Sequence, residues 1–257
     1  MPVQFLRQLT GRTRTRRANR QLGIVLAFIA GAVNAGGFLA IKQYTSHMTG
    51  IVSSVADNLV LGNAFLALAG LSALIAFIAG AATTAIMINW ARHRKMHSEY
   101  AMSLALEAVL LLVFGLLGAN LGAFVAVFVP ATVLLLCYIM GLQNAVVTKI
   151  SHAEIRTTHV TGIVTDLGIE LGKLFYWNRH HDEKSGQYVA ADRDRLLIHG
   201  TILGMFFAGG VAGAYGFKAI GFSATVPLAV VLLLFAIIPI LDDISLMSAL
   251  YQRQHRR

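Results

Sequence analysis

The stretch His159-Val160-Thr161-Gly162-Ile163-Val164 has a near copy earlier in the chain, His47-Met48-Thr49-Gly50-Ile51-Val52. Each copy follows an apolar run that ends in Gly-x-x-Asn-Ala, at Gly31–Ala35 before the first and at Gly141–Ala145 before the second. Two blocks that recur in the same order and at nearly the same spacing indicate an internal duplication. The sequence therefore predicts a chain built from two related halves.

The composition is that of a membrane protein. Of the 257 residues, 56% are hydrophobic and only 13% are charged, and the mean hydropathy is +0.67. A soluble domain of this length needs far more charge to cover its surface. Several runs of about 18 or more residues carry almost no charge, which is the length that crosses a hydrocarbon core of about 30 Å. We therefore expect an all-α polytopic membrane protein, with the lipid bilayer as its first partner.

The net charge of +9 would suit a nucleic-acid partner, but its placement does not. The basic residues lie before the first apolar run, after the second and at the end of the chain: Arg7, Arg12, Arg14, Arg16, Arg17, Arg20, Arg92, Arg94, Lys95, Arg253, Arg256 and Arg257. Basic residues in alternate connections are typical of cytoplasmic loops. We therefore expect no nucleic-acid partner and both termini in the cytoplasm.

Six apolar spans are predicted, near Gly23–Ile41, Ala64–Trp90, Met102–Leu117, Ala131–Thr148, Leu197–Gly216 and Ser223–Leu241. This divides the chain into a basic arm (1–21), a first transmembrane repeat (22–130), a second repeat (131–241) that contains a charged cytoplasmic link (179–195), and a tail (242–257). Residues 118–130 are expected to form an apolar turn region. The last span is expected to stop at Asp242-Asp243.

The two halves are expected to be upside down to each other. Each half has an odd number of crossings, so the second must run through the membrane in the opposite sense, as an inverted-topology repeat. If residues 49–61 crossed the membrane fully, the chain would have eight spans and parallel halves, and the shortness of this stretch argues against that.

Each Thr-Gly block is too polar for lipid contact and too apolar for a solvated loop. Irregular backbone at membrane depth is tolerated where it lines a cavity or is buried in protein. We therefore expect a short broken or re-entrant helix to begin at each block, with the threonine hydroxyl capping free N–H groups. Helix N-termini that point into a cavity favour anionic groups.

At this point the chain resembles a known family. The blocks Gly31–Ala35 and His47–Gly50, followed by Gly141–Ala145 and Arg156-Thr-Thr-His-Val-Thr-Gly162, are similar to the YoaK-like family of small bacterial membrane proteins, whose function is unknown. The resemblance covers about Leu22 to Leu241. It implies a protein of the bacterial inner (plasma) membrane with about six spans, and it implies no substrate. Asn34 stands where the family usually has Asp, and Ile51 where it usually has Asn, so the resemblance assigns no ion coupling to the first half.

Two sets of residues are candidates for function. The solute-contact set is Asn34, Thr49 and Gly50 from the first half, and Asn144, Thr161 and Gly162 from the second. The amides of Asn34 and Asn144 could instead serve as interhelical hydrogen bonds. Their repetition at matching places favours contact with a solute.

The second set is the titratable residues, which are candidates for ion or proton coupling: Asp57, Glu107, Asp166, His47 and His159. An ionisable group inside a membrane costs at least about 2.5–3.5 kcal/mol, so it is a functional candidate by default. The plainer alternatives are that Asp57 and Asp166 are solvated at the interface, and that Glu107 pairs with a polar group on a neighbouring span. The two histidines are candidates because histidine changes charge near pH 6.5.

The leading hypothesis is a secondary transporter that binds a small solute near the membrane midplane between the halves. The alternatives are a channel built on the same half-helices and a membrane scaffold without transport. An enzyme is not expected, because the two His-containing blocks lie on opposite sides of the membrane. No cofactor motif or metal-ligand spacing is present. The coupling ion and a homo-oligomeric state are left open.

Overall fold

The computed structural model describes residues 15–120, 125–151, 157–176 and 189–254. These residues form α1 (Arg16–Ile41), α2 (Met48–Val60), α3 (Ala64–His93), α4 (Ala101–Ala119), α5 (Val125–Ile150), α6 (Val160–Phe175), α7 (Arg193–Ile220) and α8 (Thr225–Gln254), with a 3-10 turn at Gly221–Ala224. No β-strand occurs in the described ranges. Arg156, residues 1–14 of the predicted arm, 179–188 of the link and 255–257 of the tail lie outside them.

The helices have the lengths and compositions of membrane-crossing segments. Five stretches of the described chain are long and apolar enough to cross a bilayer. The last of them runs for 53 residues from Arg193 to Ser245 and contains both α7 and α8. Large apolar side chains such as Phe65, Ile75 and Ile86 on α3 are exposed, where lipid would cover them. The chain is therefore a multi-pass helical membrane protein, as its composition predicted.

Four long helices cross in two pairs, α1 with α7 and α3 with α5, and glycines allow their backbones to come into contact. A Cβ atom at Gly31 of α1 would lie 2.9 Å from the carbonyl carbon of Phe206. A Cβ atom at Gly141 of α5 would lie 2.8 Å from the carbonyl carbon of Phe77. Carbon atoms in contact normally stay about 3.5–4.0 Å apart, so neither crossing has room for a methyl group.

The reciprocal contacts repeat this pairing. Gly209 of α7 lies against the backbone of Phe28 in α1, and Gly80 of α3 lies against the backbone of Tyr138 in α5. In both pairs, then, each helix offers a glycine to the other. Each crossing joins the helix before one Thr-Gly block to the helix after the other block. The two crossings therefore set the relative position of the blocks.

Helix α4 packs against α8 and against the junction of α7 with the 3-10 turn, and these contacts complete the core. The ring of Phe114 in α4 lies 5.7 Å from that of Phe222 in an edge-to-face arrangement, and 6.1 Å from that of Phe217. Leu104 and Leu111 of α4 are fully buried on the same side. Glu107 lies between these two leucines in sequence and is also fully buried.

The last apolar span was expected to stop at Asp242-Asp243, and helix α8 continues past this pair to Gln254. The carboxylate of Asp243 accepts hydrogen bonds from the backbone N–H groups of His97 and Ser98, both at 2.8 Å. Backbone donors of the α3–α4 connection thus satisfy this acid within the helix, and they tie that connection to α8.

The apolar turn predicted over residues 118–130 is shorter than expected. Helix α4 ends at Ala119, and α5 begins at Val125 with Pro130 inside it. Proline removes one backbone donor, but membrane helices tolerate it because neighbouring groups satisfy the freed carbonyl. The proline therefore did not mark the helix boundary that the sequence suggested.

Two helices are too short to cross the membrane. Helix α2 has 13 residues and α6 has 16, which gives lengths of about 20 and 24 Å at 1.5 Å per residue. Helix α2 packs against α3, and α6 packs against α7. Ile51 and Ile163 are buried at the corresponding place in the first turn of each. Both short helices begin at a Thr-Gly block.

Candidate functional site

The two Thr-Gly blocks open into one cavity. It has a volume of about 750 Å³ and takes its lining from both halves of the chain. The lining residues are Asn34, Tyr44, Ser46, His47, Met48, Thr49, Phe77, Asn144, Thr148, Thr158, His159, Val160, Thr161 and Phe206. Six of the predicted site residues are therefore brought together: Asn34, His47, Thr49, Asn144, His159 and Thr161.

The histidines, not the threonines, precede the first turns of the short helices. His47 has φ −90° and ψ 69°, and His159 has φ −84° and ψ 57°, so neither is helical. The expectation that Thr49 and Thr161 cap the helices is therefore wrong. Helices α2 and α6 begin one residue before each threonine, which leaves its side chain in the first turn.

The two short helices have uncapped N-termini at the cavity. Neither His47 nor His159 makes a side-chain hydrogen bond to the first turn that it precedes. By contrast, Thr15 caps α1 and Asp192 caps α7 through their side chains. The first backbone N–H groups of a helix have no partner within the helix, and they carry its positive dipole end. The cavity thus receives two positive helix ends.

The asparagine of each Gly-x-x-Asn-Ala block is hydrogen-bonded to the residue before the histidine in its own half. The hydroxyl of Ser46 donates a hydrogen bond to Oδ1 of Asn34 at 2.9 Å, and the hydroxyl of Thr158 donates to Oδ1 of Asn144 at 2.6 Å. Ser46 and Thr158 are the residues that directly precede the two histidines. Each asparagine therefore anchors the start of the short helix in its own half, while its side chain also lines the cavity.

Gly50 and Gly162 leave room for the histidine rings. A Cβ atom at Gly162 would lie 2.9 Å from Cδ2 of His159, and a Cβ atom at Gly50 would lie 2.6 Å from Nε2 of His47. Each imidazole thus packs over the backbone of the first helical turn. A larger residue at either glycine would push the ring away from this position, so the glycines act on the cavity through the histidines.

The positive potential of the cavity comes from the two helix ends. The described residues that line it include no Asp, Glu, Lys or Arg. With no carboxylate to attract a cation, the two helix N-termini give the cavity a preference for negative charge. Within the described part of the chain, no three His, Cys, Asp or Glu side chains are grouped as a metal site.

The three predicted acids do not line the cavity. Asp57 of α2 and Asp166 of α6 are exposed, and Oδ2 of Asp166 lies 4.0 Å from Nε2 of His199 in α7. Glu107 is fully buried in α4, and neither of its carboxylate oxygens has a hydrogen-bond partner in the described residues. The pairing with a neighbouring span that the sequence suggested for Glu107 is not found there.

Several cavity residues were not identified from the sequence. Ser46 and Thr158 were missed, although both stand at the same place before the His-x-Thr-Gly block. Phe77 and Phe206 were missed as well, although each lies three residues before a glycine of the small-residue patches at Gly80 and Gly209. Comparing the halves residue by residue would have indicated all four.

The fold and the cavity define a multi-pass helical membrane protein with a cavity at the start of two short helices. A family profile described as "Protein of unknown function (DUF1275)" matches residues 22–238. Among curated proteins, the "UPF0700 transmembrane protein YoaK" of Bacillus subtilis (strain 168) is 32% identical over 158 residues, which is 59% of this chain and 67% of that protein. No solved structure matches the chain.

The chain therefore belongs to the DUF1275 family, and the resemblance to YoaK-like proteins seen in its motifs is confirmed. The family match begins at Leu22 and ends at Ile238. It thus includes both Gly-x-x-Asn-Ala blocks, both Thr-Gly blocks and the whole cavity lining.

Proposed function

We propose that this protein is a secondary transporter of a small anion, which binds in the cavity between the two halves. The observation that carries the proposal is the convergence of two uncapped helix N-termini, one from each half, on one cavity. Binding at the junction of two repeats is typical of transporters whose halves rock about a fixed site.

The proposal includes two inverted repeats with six crossings. It is supported by the matched contacts, in which Gly31 and Phe206 correspond to Gly141 and Phe77. It is also supported by the 53-residue apolar stretch, since a single helix of that length would extend about 80 Å, far more than one crossing needs. In this arrangement α2 and α6 are re-entrant from opposite faces of a bacterial inner membrane. The positions of the basic residues favour the cytoplasmic side for both termini.

An anion suits the cavity better than a cation does. Two helix dipoles contribute positive potential, and the hydroxyls of Thr49 and Thr161 and the amide of Asn34 are available as donors. Nδ2 of Asn144 donates to the carbonyl of Met140 at 2.8 Å, so that amide is committed to its own helix. A cation would find no carboxylate among the described lining residues.

We assign coupling to the titratable residues in and around the cavity. The candidates are Asp57, Asp166 and Glu107, with His47 and His159 at the cavity itself. Glu107 is the most unusual of them, because a buried carboxylate without a partner is costly unless it is protonated. Transport of this kind needs neither a cofactor nor an enzymatic step.

The test is a thermal-shift screen of the purified protein against sodium salts of inorganic anions and small carboxylates. Thr49→Val and Thr161→Val remove a hydroxyl from each helix start, and Thr201→Val, outside the cavity lining, is the matched control. A hydrogen bond to a charged group contributes about 1.5–3 kcal/mol, so each cavity variant should weaken anion binding about tenfold or more. Stabilisation by cations alone, or equal binding by all variants, would refute the anion assignment.

A channel on the same short helices is the second candidate. It is favoured by the exposure of His47, Thr49, His159 and Thr161, whose cavity is not closed over. Saturable, gradient-driven uptake into proteoliposomes indicates a transporter, whereas ohmic conductance in a planar bilayer indicates a channel. If the double variant of Thr49 and Thr161 fails to fold, the blocks are structural and the scaffold hypothesis replaces both.

A further inference from the structure

We propose that His199 and Asp166 form a proton-binding pair that links α6 to α7 in the second half of the chain. Nε2 of His199 lies 4.0 Å from Oδ2 of Asp166. The His199 side chain is only 11% exposed, whereas that of Asp166 is 56% exposed. The two groups are too far apart for a hydrogen bond, so a charge–charge attraction joins them when the imidazole carries a proton.

The histidine is unusual because it is buried and incompletely paired. Nδ1 of His199 is buried and has no hydrogen-bond partner among the described residues. A protonated imidazole donates from both nitrogens, and Asp166 faces one of them, Nε2.

Most of the neighbouring charges are paired with one another. In the described residues around the start of α7, Glu170 pairs with Lys173 in α6, Arg20 of α1 with Asp194, and Asp192 with Arg195, while Arg193 is a further cation in the first turn of α7. Among the described residues, Asp166 is therefore the acid that faces His199 from α6. Arg20 is the charged residue that α1 places near this end of α7, and it is 3.6 Å from Asp194.

The first half has no such pair at the corresponding place. Phe77 of α3 and Phe206 of α7 are counterparts in the helix crossings. Gly70 and His199 lie equally far before these two phenylalanines, so they occupy corresponding places. A Cβ atom at Gly70 would lie 2.6 Å from a methyl carbon of Val55, so α2 rests on α3 through an apolar contact. The titratable contact thus belongs to one of the two short helices only.

Helix α6 joins this pair to the cavity. Asp166 lies five residues after Thr161, whose side chain lines the cavity. Loss of the pair would loosen the contact of α6 with α7 and so affect the helix start that faces the solute. The assignment of the pair as the site of proton coupling rests on the transport function proposed above, whereas its existence as a proton-binding pair does not.

The experiment is hydrogen–deuterium exchange of residues 160–175 in the full-length protein at pH 5.5 and pH 8.0, with exchange times corrected for the intrinsic rate. Protection of α6 should fall about twofold to fivefold at the higher pH, as expected for a partly exposed ion pair. In His199→Gln and in Asp166→Asn the fall should disappear. His93→Gln, which removes an exposed histidine at the end of α3, should behave like the parent protein.

Either of two results would overturn the pair: no change of protection with pH in the parent protein, or the same change in Asp166→Asn. Asp166 is exposed, so its asparagine variant keeps the test valid if His199→Gln does not fold. The measurement uses no solute and no transport assay. Its failure would remove the proton site and leave the anion cavity untouched, and failure of the anion screen would leave the proton site standing.

Discussion

The glycines at the helix crossings provide the sharpest test of the fold. In Gly141→Ala, the new Cβ would lie 2.8 Å from the carbonyl carbon of Phe77 and closer still to its oxygen. Helices α3 and α5 would have to separate by at least about 0.7 Å to restore an ordinary contact of about 3.5 Å. Overpacking of this kind costs about 1–3 kcal/mol, and here the obstacle is backbone, which cannot change rotamer.

The matched control is Gly204→Ala in α7, where nothing lies within 4 Å of the new methyl group. That variant should gain up to about 0.5–1 kcal/mol from helix propensity. In detergent, the unfolding midpoint of Gly141→Ala should therefore fall by about 3–10 °C, while that of Gly204→Ala stays level or rises. Gly31→Ala should match Gly141→Ala, because it makes the corresponding contact with Phe206. Equal midpoints for Gly141→Ala and Gly204→Ala would refute the close crossing.

Two further predictions concern buried acids. Glu107→Leu should raise the free energy of unfolding by about 1–3 kcal/mol in chemical denaturation, because it removes a buried carboxyl that has no partner in the described chain; a lower value would mean that the carboxyl has a partner. For Glu170, the hydrogen bond from Lys173 and the backbone N–H of Asp192 lower the pKa of the carboxyl. The ionised carboxyl should stabilise the fold fully above its unfolded pKa, and this effect should vanish as the pH falls through the folded pKa. Acidification should therefore lower the melting temperature more in the parent protein than in Glu170→Gln. Parallel pH profiles of the melting temperature would contradict this.

The repeat carried most of what could be read from the sequence. Asn34 and Asn144, and the histidine and threonine of each block, were recognised because they occur twice in the same order. The structure brings these six residues to one cavity. A motif that occurs in both halves is expected to occupy corresponding positions in the fold, so the two copies together indicate a shared site.

The acids could not be placed in the same way, because a sequence gives the position of a residue along a helix more readily than its face. Asp166 lies five residues after Thr161, which at 100° per residue puts it about 140° around α6. Thr161 therefore faces the cavity, while Asp166 faces away and toward His199. His199 itself gave no signal, since a single histidine near the start of an apolar span has no repeat and its partner lies on another helix.

The two halves thus share a scaffold and differ in chemistry. The features that build the cavity are paired: the crossing glycines, the asparagine anchors and the histidines over Gly50 and Gly162. Of the titratable features, the cavity histidines are paired, whereas Glu107 lies in the first half and the His199–Asp166 contact in the second. In the transporter that we propose, two identical halves would give the two end states equal energy. Protonation of a group that lies in one half would then supply the energy difference between those states that a coupled cycle requires.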